Sequence, residues 1–508
     1  MQTKFWLLGS GCWLLVARCW LLVAGCLLVV AGNGFSQKQD TTFDFRKADS
    51  ITYDLYMKGQ WEPLKQAGNN MLREGADYQY LRARLGTAYY ATANYLKSET
   101  HFSRATELNP YDEYSQSMLY FALNATLKQA EAGHLLTTLP ESLKQRIEKR
   151  KPFRLLSAHA DLGYVFRGQT KGLDIKQLTG PDSLYGEEQI YQSNPFLDAG
   201  FRLQLNPGLL FYLGVQHIVI PAHNRFVYNE YSLQTDTIIR SGDSLFYYYQ
   251  PMASQADTIF SNTVRQQSLY AQFQYAPSTR MLITAGFHLL DIQREYTTSA
   301  FQDVFLSDTT YLNLVTGDVN TIEIILPAVQ FNQALSGFTD WSLNAGLQFH
   351  GGYLSPDIGF AVSRINQSRV AQVHGGLQLL PLGNLQLYSY SRIALIMPQG
   401  DRKLVLKQTA GGRIAGPVWF EASVIAGDLS LYADQSGYIV YNMPDVPALK
   451  TEAVLGLELG KHLLVTIRHQ FQQAEREYYW FESLSEKLIT DNYNIQSHTI
   501  IGGIKWTF

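Results

Sequence analysis

Alternation of apolar and polar residues is the strongest pattern in the chain and runs from about residue 153 to the end. In the final segment, Ile500, Ile504 and Phe508 fall on one face, whereas Thr499 and Lys505 fall on the other. This period of two is that of a β-strand with one apolar face. The same alternation recurs in segments 197–205, 269–275, 281–289 and 341–349. The repetition predicts a large antiparallel sheet whose two faces lie in different environments.

The candidate strands in this region number sixteen, and the two at 324–335 and 428–433 are the weakest. Without that pair the count is fourteen, and single-chain bacterial barrels have an even number of strands. The candidates are 155–167, 195–206, 208–220, 264–276, 279–296, 324–335, 340–353, 356–366, 370–380, 384–397, 401–412, 416–425, 428–433, 449–460, 462–476 and 495–508. The pattern therefore predicts an antiparallel transmembrane β-barrel over residues 153–508, with about sixteen strands and fourteen as the alternative.

The connections between these strands are of two kinds. Asn206-Pro207-Gly208 and Ala276-Pro277-Ser278 are typical of tight turns. Longer stretches lie at 168–195, 221–263, 297–322, 427–448 and 477–494. Because membrane barrels place their short turns at one end and their long loops at the other, we expect these stretches on the cell exterior.

Residues 45–146 instead follow a helical pattern that repeats at an offset of about 34 residues. Gly86 and Ala105 allow two helices to approach closely, Asn94 marks the turn between them, and Pro110 follows the second helix. The pattern positions are Leu85, Gly86, Tyr89, Phe102, Ala105 and Pro110. These positions resemble the tetratricopeptide repeat. The resemblance implies a helical domain over residues 37–152 that either binds a periplasmic protein in a groove or only caps the next domain.

The first 36 residues resemble a secretory signal that is cleaved near Ser36. Lys4 precedes a long apolar stretch that is interrupted by Arg18. Two alternatives are a retained membrane anchor, because the stretch is long enough to span a bilayer, and lipidation of Cys26. All three cysteines, Cys12, Cys19 and Cys26, lie here, so the predicted mature chain has neither a disulfide framework nor a cysteine-based metal site.

Composition narrows the classes of protein further. The net charge of −3 argues against a nucleic-acid binder that acts through bulk positive charge. Charged residues make up 17% of the chain and aromatic residues 13%. Mean hydropathy is −0.13, which excludes a bundle of membrane helices and suits strands that are apolar on one face only.

The faces opposite the apolar ones carry aromatic residues and charges of both signs. We expect the following residues to line the barrel lumen and contact a ligand there: Tyr212, Tyr270, Tyr388, Tyr390, Trp419, Arg202, Arg392, Lys403, Lys407, Arg468, Glu421 and Glu458. Because neither sign dominates, strong ion selectivity is not expected. The aromatic rings either stack on sugar rings or fill a narrow lumen. Arg468 and Glu458 lie on neighbouring strands, and we expect them to form an ion pair.

No local catalytic motif is present in the sequence. The chain has no Gly-x-Ser-x-Gly elbow, no phosphate-binding glycine loop and no His-Glu-x-x-His. His159 and Asp161 share a face, as do His288 and His350, and each is read as a hydrogen-bonded lumen residue. We therefore predict no catalytic residues, no metal, no cofactor and no enzyme activity, with a barrel enzyme acting on lipid as a third hypothesis.

The end of the chain carries a further signal. Gly503, Trp506 and the terminal Phe508 resemble the C-terminal signal of Gram-negative outer-membrane barrels, which implies contact with outer-membrane lipid and with the barrel-assembly machinery. Helical repeats before a barrel resemble, as an architecture, the exopolysaccharide export porins. That resemblance implies an outer-membrane barrel with its helical domain in the periplasm, passive transport or export of a polymer such as polysaccharide, and a periplasmic protein bound by the repeats. A structural or assembly anchor with a plugged barrel is the alternative. An open lumen favours transport, and a closed lumen favours the anchor.

Overall fold

The computed structural model describes residues 45–147, 154–168, 185–241, 244–312, 319–443, 445–482 and 487–508. Within these, the side chains at 45, 233–251, 301, 303–327 and 481–488 are not described. The predicted signal, with its cleavage site near Ser36 and the possible lipidation site Cys26, lies outside the described residues. Helices occupy the described chain up to Ile147, and strands occupy most of it from Arg154 onward.

Seven α-helices form the N-terminal part of the described chain. They are α1 (Phe45–Met57), α2 (Trp61–Arg73), α3 (Gln79–Ala91), α4 (Tyr95–Leu108), α5 (Glu113–Ala125), α6 (Gln129–Thr138) and α7 (Glu141–Ile147). Each of the first five helices packs on the next in chain order, and α7 packs on α5. None of the helices in residues 45–147 combines the length and the hydropathy needed to cross a membrane.

The closest helix contact is between α3 and α4. A Cβ added at Gly86 would lie 2.9 Å from the ring of Phe102, so only glycine allows this approach. Ser98 stands where the repeat pattern expects alanine, and its hydroxyl donates a hydrogen bond to the Gly86 carbonyl at 2.9 Å. The side chain of Asn94 caps α4 by accepting from the Lys97 amide. Leu85, Tyr89, Phe102 and Ala105 are all buried in this part of the domain, and Pro110 follows the end of α4. The tetratricopeptide assignment itself stays a prediction.

The remainder of the described chain consists mainly of strands. They are β1 (Arg154–Arg167), β2 (Tyr185–Tyr191), β3 (Asn194–Asn206), β4 (Leu209–Ser241), β5 (Ser244–Ser278), β6 (Met281–Leu312), β7 (Val319–Phe349), β8 (Leu354–Ile365), β9 (Ser368–Leu379), β10 (Leu387–Pro398), β11 (Lys403–Ala415), β12 (Val418–Gly427), β13 (Ala433–Asp434), β14 (Ile439–Val440), β15 (Val446–Leu459), β16 (Leu463–Glu482) and β17 (Lys487–Thr507).

Fourteen of the described strands close into an antiparallel barrel. Each of β3 to β11 pairs with the next, β12 pairs with β15, β15 with β16, and β16 with β17. Strand β17 then pairs with β1, which in turn pairs with β3. This confirms the helical-then-barrel fold with the fourteen-strand alternative. Of the two weak candidates, 324–335 belongs to the long strand β7, in its half toward the long-hairpin end, and 428–433 leaves the wall altogether. Strand β2 is an addition at the rim, where it joins β4 to β16.

The two ends of the barrel differ. At the short-turn end, the connections are residues 207–208, 279–280, 350–353, 380–386, 416–417 and 460–462. At the long-hairpin end, β4 and β5 have 33 and 35 residues, whereas about 10 residues of strand cross a bilayer. The stretches 221–263 and 297–322 were expected to be loops. Their described parts are instead paired strand, because β4 pairs with β5 from Leu209 to Ser241 and β6 pairs with β7 as far as Leu312.

Side chains on the wall alternate between lumen and exterior. Leu343, Ile358 and Ile393 point outward and are 52–56% exposed. Ser342 and Asn344, which flank Leu343, point inward and are buried. The barrel therefore presents apolar side chains to its surroundings and polar ones to its lumen, the reverse of the helical domain, which keeps its apolar residues inside.

Candidate functional site: the lumen and the loop that enters it

Residues 428–443 and Asp445 connect β12 to β15 and are called the inward loop here. This segment falls within 427–448, which was expected on the cell exterior, and that prediction is wrong. The loop turns into the barrel because its apolar residues find an apolar wall there. Leu429, Tyr432 and Tyr441 are buried against inward-facing residues of four strands, Val370, Ala394, Ile396, Val405 and Ile425. Burial of this apolar surface favours the inward position.

A buried carboxylate fixes the middle of the inward loop. The side chain of Asp434 is 1% exposed, and Lys407 Nζ lies 2.6 Å from its Oδ2. Arg392 Nη1 lies 3.7 Å from the other carboxylate oxygen, to which the Tyr432 hydroxyl donates at 3.1 Å. Asp434 is thus held by two cations of the wall, as a buried charge requires. Nearer the outside, Lys403 Nζ pairs with Asp428 at 2.8 Å.

The tip of the loop, residues 435–438, reaches the opposite wall. The Tyr438 hydroxyl donates to Asp198 of β3 at 2.6 Å, and His159 Nε2 lies 3.0 Å from the same carboxylate. Tyr212 stacks on His159 with ring centroids 5.9 Å apart and meets Tyr438 edge to face at 5.8 Å. This hydrogen-bonded aromatic cluster fills the lumen beside the tip.

Two backbone carbonyls of the tip are also bound by the wall. Tyr270 donates to the Ser436 carbonyl at 3.0 Å, and His288 Nδ1 donates to the Gly437 carbonyl at 2.7 Å. Gly437 has a positive φ of 85°, and a Cβ there would lie 2.0 Å from the Asn344 amide nitrogen. The tip therefore requires glycine at this position for both conformation and space.

Polar cavities remain between the tip and the short-turn end. One of about 370 Å³ extends from His350 and Asp357 to the helical domain. A second of about 250 Å³ is bounded by Tyr388, Glu421 and Lys407. The two share Gln378, Tyr390 and Arg392 in their linings. On the other side of the loop, a third cavity of about 580 Å³ lies at the long-hairpin end.

The lumen residues expected from the sequence fall into four groups. Those that contact the inward loop are Tyr212, Tyr270, Arg392, Lys403 and Lys407. Tyr388 and Tyr390 border the cavities, where Tyr388 donates to Glu421 and Tyr390 donates to Asp357 at 3.1 Å. Arg202 is a neighbour of Tyr212. Trp419, Glu458 and Arg468 lie apart from the loop contacts.

The expected ion pair between Arg468 and Glu458 does not form. Glu458 lies opposite Leu464, and Arg468 lies opposite Val454, so the register separates the two charges by four residues along the hairpin. Arg413 instead binds Glu458 at 2.9 Å and places its guanidinium 4.8 Å from the Trp419 ring. Arg468 Nε is 3.9 Å from a carboxylate oxygen of Glu452.

The helical domain is docked on the short-turn end. The amide of Leu96 donates to the Gly383 carbonyl at 3.1 Å, and the Asn94 side chain donates to the Tyr353 hydroxyl at 3.0 Å. The Asn384 side chain returns a hydrogen bond to the Ala93 carbonyl at 2.8 Å. The start of α4 is therefore held by the turn between β9 and β10.

A second contact is made by α6. A Cβ at Gly133 would lie 2.5 Å from the backbone nitrogen of Gly208, so the helix touches the turn between β3 and β4. Glu131 lies 2.7 Å from His350 Nε2, and both side chains are less than 10% exposed. Ala130 packs on Leu210 and Ala276. Together, α4 and α6 cover the turns at this end of the barrel.

Several residues that shape the lumen were not predicted from the sequence as ligand contacts, including Asp198, Asp434, Tyr438 and Gln372. Gln372 binds the loop backbone twice, as donor to the Ala433 carbonyl at 2.9 Å and acceptor from its amide at 3.1 Å. The sequence nevertheless contains a signal for a segment inside the barrel. The inward positions Ile396, Val405 and Ile425 are apolar, unlike most inward positions, and such residues need a partner inside the barrel.

Comparisons with known proteins find similar solved structures but no similar sequence. No protein-family model and no curated protein matches this sequence. Similar solved structures include a Pseudomonas aeruginosa FadL homologue, with 8% identity and a TM-score of 0.37 over 70% of this chain and 90% of that chain. The Ralstonia pickettii toluene transporter TbuX has 10% identity and a TM-score of 0.34 over 70% and 90% of the chains. The anion-selective porin from Comamonas acidovorans has 10% identity and a TM-score of 0.27 over 70% and 99%.

Proposed function

We propose that this protein is an outer-membrane channel for the passive movement of polar solutes, closed at rest by the inward loop. The apolar exterior of the closed barrel supports a place in a membrane, because outward apolar residues such as Leu343 and Ile358 are each 56% exposed. The C-terminal resemblance to outer-membrane barrels, carried by Gly503, Trp506 and Phe508, supports the outer membrane. The short-turn end, with the helical domain, then faces the periplasm.

The observation that carries the proposal is the set of polar cavities on both sides of the loop. Two of them, of about 370 and 250 Å³, share Tyr390 and Arg392, and the third, of about 580 Å³, includes Asp445 of the loop itself. A barrel that acted only as a structural anchor would not require lumen cavities lined by ionisable and tyrosine side chains. Movement of the loop joins these cavities into one path.

The cargo that we propose is a hydroxyl-rich molecule, with a polysaccharide as the extended case. Tyr388 and Tyr390 place aromatic rings beside the charged groups of Glu421 and Arg392, which suits stacking on a sugar ring and hydrogen bonding to its hydroxyls. A polymer cannot pass while the tip spans the lumen between β11 and β3. Export of a polymer therefore requires the loop and the docked helical domain to move.

Single-channel conductance in a planar bilayer tests this function. We compare the full chain with a variant in which residues 429–442 are replaced by a short Gly-Ser linker. The matched control trims residues 233–250 from the β4–β5 hairpin, which removes a similar length but leaves the inward loop in place. We expect a small or intermittent conductance in the full chain and the control, and a several-fold larger, steady conductance in the loop variant. Oligosaccharides should block the larger conductance, and Tyr388→Ala with Tyr390→Ala should weaken the block.

The absence of conductance from all three proteins, with folding shown by heat-modified gel mobility, would overturn the channel proposal. It would support the second candidate, a structural anchor whose helical domain recruits a periplasmic protein. One observation favours that candidate, namely that the lumen is crossed by the loop while the helical domain also covers the short-turn end. In the anchor, removal of the loop changes stability but opens no path for ions.

A further inference from the structure

The third cavity, of about 580 Å³ at the long-hairpin end, is lined by none of the lumen residues that the sequence predicted. It is bounded by the end of β1, the end of β2, two neighbouring strands β16 and β17, and the last part of the inward loop. Its lining contains five amide or hydroxyl side chains, Gln192, Ser193, Gln472, Gln496 and Ser497. Its volume falls within the range of small-molecule sites.

Two arginines of this cavity differ in their partners. Arg476 is bound by Asp445 in a bidentate pair, with N–O distances of 2.9 and 3.0 Å. Arg167 has no carboxylate within 4 Å among the described residues, and its Nη1 atom is buried without a hydrogen-bond partner there. Asp445 is the one carboxylate among the described residues that line the cavity, so the two guanidinium groups exceed it by one positive charge.

The ring of Tyr191 holds both guanidinium groups in position. The ring centroid lies 5.7 Å from Arg167 Cζ and 5.6 Å from Arg476 Cζ, which is within the range of cation–π contacts. Tyr191 is 3% exposed, so its ring is a fixed platform. A third arginine, Arg294, approaches the Tyr191 hydroxyl at 3.4 Å and adds positive charge to the same region.

The buried Nη1 donor of Arg167 is energetically unfavourable without a hydrogen-bond partner. A buried polar group without a hydrogen bond loses free energy relative to water, and the loss is greater for a charged group. An oxyanion satisfies the donor and the charge together, because the guanidinium fork matches the two oxygens of a carboxylate or phosphate. The surrounding amides and hydroxyls match hydroxyl groups rather than an alkyl chain.

We propose that this cavity binds a sugar or similar polyhydroxy compound that carries a carboxylate or phosphate, with Arg167 as the anion-binding residue. The site goes beyond the proposed channel, because binding here does not require passage through the lumen. Asp445 joins the site to the inward loop, since the residue that neutralises Arg476 belongs to both.

Calorimetric titration of the full chain in detergent micelles, in a buffer free of phosphate, tests the site. The probes are galacturonate for the carboxylate and glucose 6-phosphate for the phosphate, with galactose and glucose as neutral counterparts. We expect saturable binding of at least one anionic sugar and much weaker binding of its neutral counterpart. The arm that binds identifies which oxyanion the cavity prefers.

Arg167→Gln should weaken the binding by at least about tenfold, because it removes a charge-assisted hydrogen bond. Arg167→Lys keeps the charge without the fork and should lose less. The matched control is Arg265→Gln, which removes an exposed arginine of β5 and should leave the affinity unchanged. The proposal is overturned if neither anion binds, if neutral sugars bind equally well, or if Arg167→Gln and Arg265→Gln behave alike. Because these binding measurements do not use conductance, their failure would not bear on the channel proposal.

Discussion

The inward loop is fixed by a carboxylate buried between two cations and by an apolar cluster. The helical domain is held mainly by hydrogen bonds to the turns and by close contacts at glycines, with the buried Glu131–His350 pair beside them. In the loop, Asp434 is enclosed by Lys407 and Arg392. At the short-turn end, Gly383 and Gly133 allow the helices to touch the turns. Desolvation offsets much of the attraction within a buried ion pair, so such a contact contributes less net stability than its distances suggest. We infer that the loop is the more readily released of the two closures.

Asp434→Asn should produce the largest difference between release of the inward loop and release of the helical domain. The substitution removes the buried counter-charge of Lys407 and leaves Arg392 with Asp357 alone, at 3.8 Å. Loss of one partner of a buried ion pair costs about 3 kcal/mol or more. We expect the loop to leave the lumen more often, which is measured as longer open times in single-channel records and as faster protease cleavage within residues 428–443. The helical domain should stay docked.

The control for that experiment is Asp428→Asn. This carboxylate pairs with Lys403 at 2.8 Å but is 38% exposed, and exposed pairs contribute about 1 kcal/mol or less. Open times and cleavage should therefore change little. Equal effects of the two substitutions would show that the loop is not held by the buried charge.

Gly383→Ala should weaken the docking of the helical domain on the short-turn end of the barrel. Gly383 has a positive φ of 71°, and a Cβ there would lie 2.1 Å from the Asn94 side-chain oxygen. The left-handed backbone alone costs about 1 kcal/mol for alanine, and the clash adds to it. Gly400→Ala is the matched control, because Gly400 has a φ of 90° and nothing within 4 Å of the added atom. We expect protease release of the helical domain only from Gly383→Ala, and the same release from both would attribute it to backbone strain.

Acid should weaken the helical domain by a smaller amount. Burial, with help from the nearby Arg82 and Lys97, lowers the pKa of His101 from 6.5 to about 3. Its ring stacks on Tyr89, and Arg82 Nη1 lies 3.3 Å from its Nδ1. The folded domain keeps the ring neutral while the unfolded chain protonates it below pH 6.5. Stability is therefore complete above that pH and falls as the pH drops toward 3, by about 2 kcal/mol at pH 5.

Circular dichroism at a helix-sensitive wavelength, followed through thermal unfolding of the full chain at pH 7.5 and pH 5, measures this loss. His101→Asn removes the titrating group and should flatten the dependence over this interval. An unchanged slope in that variant would assign the acid sensitivity to other groups, such as Asp77, whose pKa is lowered by Arg82 and Arg104.

The fold was predictable because periodicity is a local property. Alternation over segments such as 341–349 marks the strands, and the small residues Gly86 and Ala105 mark the tightest helix contact. The number of strands was left at two values because a single strand such as β7 runs far beyond one membrane crossing. Where a strand is longer than the bilayer requires, its outer part looks like a separate element.

The inward loop and the docking of the helices were not predictable in the same way. Leu429 and Tyr432 look like exterior loop residues until they are set against Ile396 and Val405, which lie on other strands. The docking contact between Leu96 and Gly383 is made by backbone atoms, which leave no trace in residue type. Both features depend on tertiary contacts that local patterns do not report.

The closing of the barrel by its first and last strands has a consequence for the order of events in folding. Ser157 lies opposite Thr507, and the Phe508 amide donates to the Leu156 carbonyl at 3.0 Å. β1 therefore waits for nearly the whole chain before it gains this neighbour, and contacts so distant in sequence form slowly. The helices, joined by contacts as local as Gly86 with Phe102, can fold during that interval. We expect docking to follow strand pairing, because Gly383 lies in the turn that β9 and β10 form when they pair, and strands that are still unpaired need protection from aggregation.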